Sequence, residues 1–158
     1  MPINPANQDS KIYEALYLGF RVDKAAANLP QGVGTDYFTI SGGRVLVTLI
    51  LGEVTTLIQT LANATKLVYN PTDAGADQDL CATLDITADA VGTIYHISGT
   101  VADALRDNLN FGRGTLVAAP LILKPGTLAL NCAGSATGAT KWSLWYIPLE
   151  DGASVAVA

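Results

Sequence analysis

Arg44-Val45-Leu46-Val47-Thr48-Leu49-Ile50-Leu51-Gly52 is the stretch that decides the fold. Its aliphatic and β-branched residues favour extended backbone. Side chains alternate along a strand, so Val45, Val47, Leu49 and Leu51 share one face. Arg44, Leu46, Thr48 and Ile50 share the other. Both faces are partly apolar, so the strand lies between two layers or turns one face to a neighbouring subunit. Gly42-Gly43 precedes it and supplies positive φ at little cost, which marks a tight turn from a short strand over residues 37–41.

Outward from there, turn signals recur. Residues 15–22 alternate weakly through Leu16, Leu18 and Phe20, and residues 23–34, with Pro30, Gly32 and Gly34, read as loop. Strand patterns continue over residues 54–62 and 66–69 and stop at Asn70-Pro71. In residues 80–86, Leu80, Ala82, Leu84 and Ile86 point in, and Cys81, Thr83 and Asp85 point out. Residues 93–98 form the next strand. Val101, Leu105 and Leu109 recur every four residues and predict one helical turn, ended by Gly112-Arg113-Gly114. Residues 116–123, 128–132 and 141–149 are the last clear strands, followed by a short one over 154–157. About nine or ten short strands, with turns roughly every 8–12 residues, predict an all-β, single-domain β-sandwich or barrel of jelly-roll-like type. It occupies residues 15–158. Residues 1–14 read as an extended N-terminal arm: the first ten carry two prolines and no apolar periodicity.

Composition removes several classes. The chain has 158 residues, 49% hydrophobic and 15% charged, with a mean hydropathy of +0.31 and a net charge of -5. That charged share falls below the roughly 25% of ordinary domains. So apolar a chain folds rather than staying disordered. Nine scattered Lys and Arg make no basic patch for nucleic acid. Residues 45–54, the longest apolar stretch, are broken by Thr48, Gly52 and Glu53 and fall short of the roughly 20 residues of a spanning helix. No membrane partner is expected. Met1-Pro2-Ile3-Asn4-Pro5 lacks the basic and apolar regions of a signal peptide. Scarce charge leaves two readings: an Ala- and Thr-rich monomer, or a domain with much of its surface covered in an assembly.

Candidate chemistry is sparse. His96 is the sole histidine and sits in a strand pattern, which excludes a two-histidine metal site. No Gly-x-Ser-x-Gly elbow occurs, and the Gly32-Val33-Gly34 and Gly112-Arg113-Gly114 pairs have no following helix. Cys81 and Cys132 read as small buried hydrophobes, with a disulfide open only if their Cα atoms come within about 7 Å. Asp73, Asp77 and Asp79 share one loop and are a candidate cation cluster or a solvated acidic loop. Asn63-Ala64-Thr65 fits a glycosylation acceptor, to which no meaning is assigned. Trp142, Leu144 and Tyr146 share one face of a strand, and Trp145, Ile147 and Leu149 the other. That strand is central or meets a subunit. No cofactor, metal or enzymatic activity is expected.

Three stretches carry a resemblance. They are Phe38-Thr39-Ile40-Ser41-Gly42-Gly43-Arg44-Val45, Asp79-Leu80-Cys81-Ala82-Thr83-Leu84-Asp85-Ile86, and Pro125-Gly126-Thr127-Leu128-Ala129-Leu130 with residues 138–149 and Asp151-Gly152. Together, over residues 35–152, they resemble small virion structural proteins of tailed bacteriophages, among them capsid decoration (cement) proteins. The resemblance implies a β-barrel or jelly roll. It implies binding to the outside of a capsid lattice as a homo-dimer or homo-trimer, with the major capsid protein as partner. It implies a location on the virion after synthesis in the host bacterial cytoplasm, and no catalytic residue. Pro2, Ile3, Asn4 and Pro5 of the arm, with Leu46, Ile50, Trp142 and Trp145 on the two-sided strands, are the expected interface residues. The alternative is a tail-associated structural or carbohydrate- or receptor-binding β module, with Trp142 or Trp145 as the platform.

Overall fold

The computed structural model describes residues 12, 15–73, 75–109 and 119–158. Twelve strands follow one another: β1 (Phe20–Asn28), β2 (Gly34–Ser41), β3 (Val45–Thr56), β4 (Ala64–Pro71), β5 (Gln78–Asp79) and β6 (Leu84–Asp85). Then come β7 (Thr93–His96), β8 (Arg106–Leu109), β9 (Leu121–Leu123), β10 (Gly126–Cys132), β11 (Ala139–Pro148) and β12 (Ser154–Val157). Among the described residues, α-helix is confined to residue 12 and residues 15–17. No helix there is long and apolar enough to cross a membrane.

The strands form two antiparallel sheets. Sheet A runs β1-β11-β3-β7-β8, with β9 also pairing β3. Sheet B runs β12-β2-β10-β4-β5, with β6 also pairing β4. Each sheet has free ends in its strand order, so the barrel half of the expectation is replaced by two open layers. Both contribute to one apolar core, with Val45, Ile50, Trp142 and Leu144 from sheet A and Phe38, Ile40, Leu67 and Leu128 from sheet B.

Trp142 sits at the centre of that core, 1% exposed. Its ring meets Tyr37 of sheet B edge-on at 6.3 Å between centroids and stacks with Tyr95 of β7 at 6.2 Å. Its Nε1 donates to Thr140 Oγ1 at 3.0 Å, so the buried indole N–H has a partner. Gly52, opposite Trp142 in the β3–β11 register, makes room for the ring. A Cβ there would stand 2.6 Å from the indole.

Two bulges reset the alternation. In the β3–β11 register Val47 pairs with Tyr146 and Leu49 with Trp145, leaving Thr48 as an extra residue. Inward positions therefore run Val45, Val47, then Ile50, Gly52 and Val54, instead of continuing through Leu49 and Leu51. In the β2–β10 register Phe38 pairs with Leu128 and Asp36 with Ala129. The skipped Tyr37 can then turn inward beside Phe38, and both are fully buried.

Other expectations shift too. Residues 20–28, read mostly as loop, are β1: a strand that lies at the end of sheet A needs only a few apolar side chains, here Val22 packed against the core. The helical spacing of Val101, Leu105 and Leu109 belongs to a turn followed by β8. Leu105 is buried in the core and Val101 is exposed. Cys81 points inward, not outward, and Cys81 and Cys132 are both buried, free thiols. Burial pushes both thiols up from their ordinary pKa. The Gly42-Gly43 turn between β2 and β3 holds, with φ of 74° at Gly42.

Gly52→Ala should lower stability by about 1–3 kcal/mol, since a methyl cannot fit beside a ring already packed on both faces. Gly34→Ala, whose Cβ meets nothing closer than 3.8 Å, serves as control. Urea midpoints compare the two; equal midpoints would remove Trp142 as the packing constraint.

Candidate functional site

The sheets differ in what they turn outward. On sheet B, Thr127 Oγ1 donates to Asp36 Oδ1 at 2.9 Å, Asn70 faces the same carboxylate, and Lys66 pairs with Asp79 at 2.7 Å. That surface is polar, with Ala129 and Val68 set among those groups.

Sheet A turns apolar rows outward. Ile147, Leu46 and Ile122 lie side by side across β11, β3 and β9. Trp145 and Leu49 form the next row, then Ser143, Leu51 and His96. Ile122 is 60% exposed, Leu46 is half-buried and Trp145 is buried. The Arg21 guanidinium lies over the Trp145 ring at 4.9 Å and pairs with Asp23 at 2.7 Å. Asp23 also accepts from Ser143 Oγ at 2.5 Å. These hydrogen bonds and Arg21 hold its carboxyl below the usual range, against a desolvation that raises it. At the far edge of this face Lys141 pairs with Glu53 at 2.8 Å. Ahead of β1, Ile12, Leu16 and Tyr17 are more than half exposed, as is Phe20 at its start. Thr48, the bulge residue, donates its hydroxyl to the Leu18 carbonyl at 2.5 Å and ties this segment to β3.

Among the expected interface residues, Leu46 and Trp145 lie on this outer face. Ile50 and Trp142 do not. Both are 1% exposed and form part of the core, Ile50 because the Thr48 bulge reverses its parity. Pro2, Ile3, Asn4 and Pro5 lie outside the described residues. Sequence reading missed Ile122 and Phe20, which carry the same apolar signal but sit in short or mixed segments.

The polar candidates do not converge. Asp79 is engaged by Lys66, and Asp73 and Asp77 are exposed. Among the described residues no group of three or more His, Cys, Asp or Glu is placed to hold a metal. Asn63 is fully buried, its Oδ1 accepting from the Gly134 amide at 2.9 Å, so this side chain is a structural tie between loops. Tyr95 donates to Asp89 at 2.5 Å, and burial holds that carboxyl above its usual range. His96 is buried opposite Leu51 and Arg106, and its Nδ1 has no hydrogen-bond partner among the described residues.

Burial, and then Arg106, push the His96 pKa below its ordinary 6.5. The folded state thus prefers the neutral ring. Its contribution to stability is full above the unfolded pKa and is lost as pH falls through 6.5 toward the lower folded value. The melting temperature should fall more steeply between about pH 7 and 5 in the wild type than in His96→Gln. Parallel curves would show that His96 does not set this slope.

Comparison with protein-family models, curated proteins and solved structures finds no match.

Proposed function

We propose that the chain is a structural virion protein. It binds the outer surface of a tailed-phage capsid as an oligomer and stabilises the lattice. The observation that carries this reading is the contrast between the two outer faces. Sheet B's is satisfied by its own polar pairs, while sheet A's carries the Ile147–Leu46–Ile122 row, in which Ile122 is 60% exposed. Outward apolar surface of this kind marks contact with another protein. The resemblance of residues 35–152 to small phage virion proteins supplies the class of partner, the major capsid protein.

The strand order supports a jelly-roll reading. Consecutive strands from β1 to β4 alternate between sheets, and β1-β11-β3-β7 faces β2-β10-β4-β5. Such a domain is rigid and presents fixed faces. In this reading residues 1–10, which lie outside the described residues, contact adjacent capsid subunits. Each contact is weak, and symmetry repeats it, so the lattice gains resistance to expansion and heat through many simultaneous engagements.

Co-sedimentation with undecorated capsids tests this. Ile122→Glu, at an exposed position, should change stability by no more than about 0.5 kcal/mol. It should nevertheless lower occupancy, and so should deletion of residues 1–10. Full occupancy in both variants, or no capsid binding by the wild type, would sink the proposal. Binding of the wild type to a glycan array, lost in a Trp145→Ala variant, would favour the receptor-binding alternative.

A further inference from the structure

We infer that β1 is the edge through which two copies of this chain pair, antiparallel and centred on Val22, joining their sheets A into one. The inference rests on the oligomeric part of the function proposed above and names the surface and the symmetry.

β1 lies at one end of sheet A, and among the described residues its only strand partner is β11. Among the described residues no strand pairs with its other side, whose backbone N–H and C=O groups are a template for another strand. A second copy of the same strand is the occupant that the side chains fit. Pairing about Val22 sets Arg21 across from Asp23 of the second copy, and Asp23 across from Arg21 of the second copy. Both residues face outward, opposite Trp145 and Ser143 of β11. Opposite charges directly across an antiparallel pair stabilise it, and like charges destabilise it. The edge is thus self-complementary in charge in this register, as a twofold contact requires. Within one copy the two groups already meet at 2.7 Å, so pairing joins two ion pairs, one from each copy, into a network of four charges.

The apolar side chains fit the same register. Phe20, 61% exposed, comes to lie across from Lys24 of the second copy. The Lys24 ammonium is turned over the Tyr37 ring at 5.0 Å and donates to the Ala158 carbonyl, so its alkyl stem is what remains for the ring to cover. The register irregularity between Lys24 and Ala27 limits regular pairing to the stretch from Phe20 to Lys24. Beyond it Ala25 and Ala26 are exposed and small. They set no bulky side chain against a second copy there.

Sedimentation velocity on the full chain tests the pairing. The wild type should sediment as a dimer. Asp23→Arg, which sets Arg against Arg21 across the axis, should be a monomer at the same concentration. The double exchange Arg21→Asp with Asp23→Arg should restore the dimer. Circular dichroism checks that each variant folds, and Arg21→Glu, which opposes two carboxylates instead, serves if Asp23→Arg does not. A monomeric or trimeric wild type, or a dimer that survives either single reversal, overturns the inference. Capsid co-sedimentation of the same samples keeps the two proposals apart. A monomer that still decorates capsids overturns the pairing and the oligomeric part of the proposed function but not capsid binding, and a dimer that does not decorate them overturns only the capsid function.

Discussion

The packing of Trp142 is the constraint on which the rest depends. One large ring fills the space between two sheets, and it does so only because β3 supplies a glycine opposite it. Tyr37 closes the space from sheet B and Tyr95 from β7, so three elements distant in sequence are fixed against one side chain. Burial in this setting pushes the Tyr37 hydroxyl up to about 12, and Tyr95 higher still, so both rings stay neutral packing groups. Aromatic pairs with this geometry contribute about 0.5–1.5 kcal/mol each beyond the area they bury. Few aromatics are needed because these are placed where the layers meet.

The bulges then decide what faces outward. Thr48 is only half-buried, but its insertion moves Ile50 and Val54 inward and Leu49 and Leu51 outward. Together with Trp145, Leu46 and Ile122 they give sheet A its apolar outer rows. The same device at Tyr37 lets adjacent residues of β2 both enter the core. One outer face carries apolar rows and the other is polar.

The scarce ionisable groups are spent on holding loops and edges together. Glu150 accepts from both the amide and the guanidinium of Arg44 and fixes the β11–β12 turn against the start of β3. Asp85 accepts from Asn63 and Thr87, and these hydrogen bonds hold its carboxyl low. The ion pairs are largely exposed, so water and salt screen them and each contributes little to stability. Their value lies in placement, as at Arg21 and Asp23, where sign alternation along an edge makes that edge complementary to itself.

The sequence by itself determined the all-β class, the turns at Gly42-Gly43 and Pro125-Gly126, and which residues of β11 share a face. Those signals are local: alternation, β-branched residues and glycine need no knowledge of a partner strand. The face of β3 beyond Val47 was not legible, because a bulge is defined by the strand opposite, and nothing in Thr48 itself marks it. For the same reason Ile50 and Trp142 read as surface candidates until the register placed them between layers. β1 looked like loop because a strand at a sheet's end takes its hydrogen bonds from β11 rather than from an apolar pattern of its own. Composition foretold that little of this surface would be charged. Which face carries the apolar rows, and which strand ends sheet A among the described residues, only tertiary structure could decide, since both follow from pairing between residues far apart along the chain.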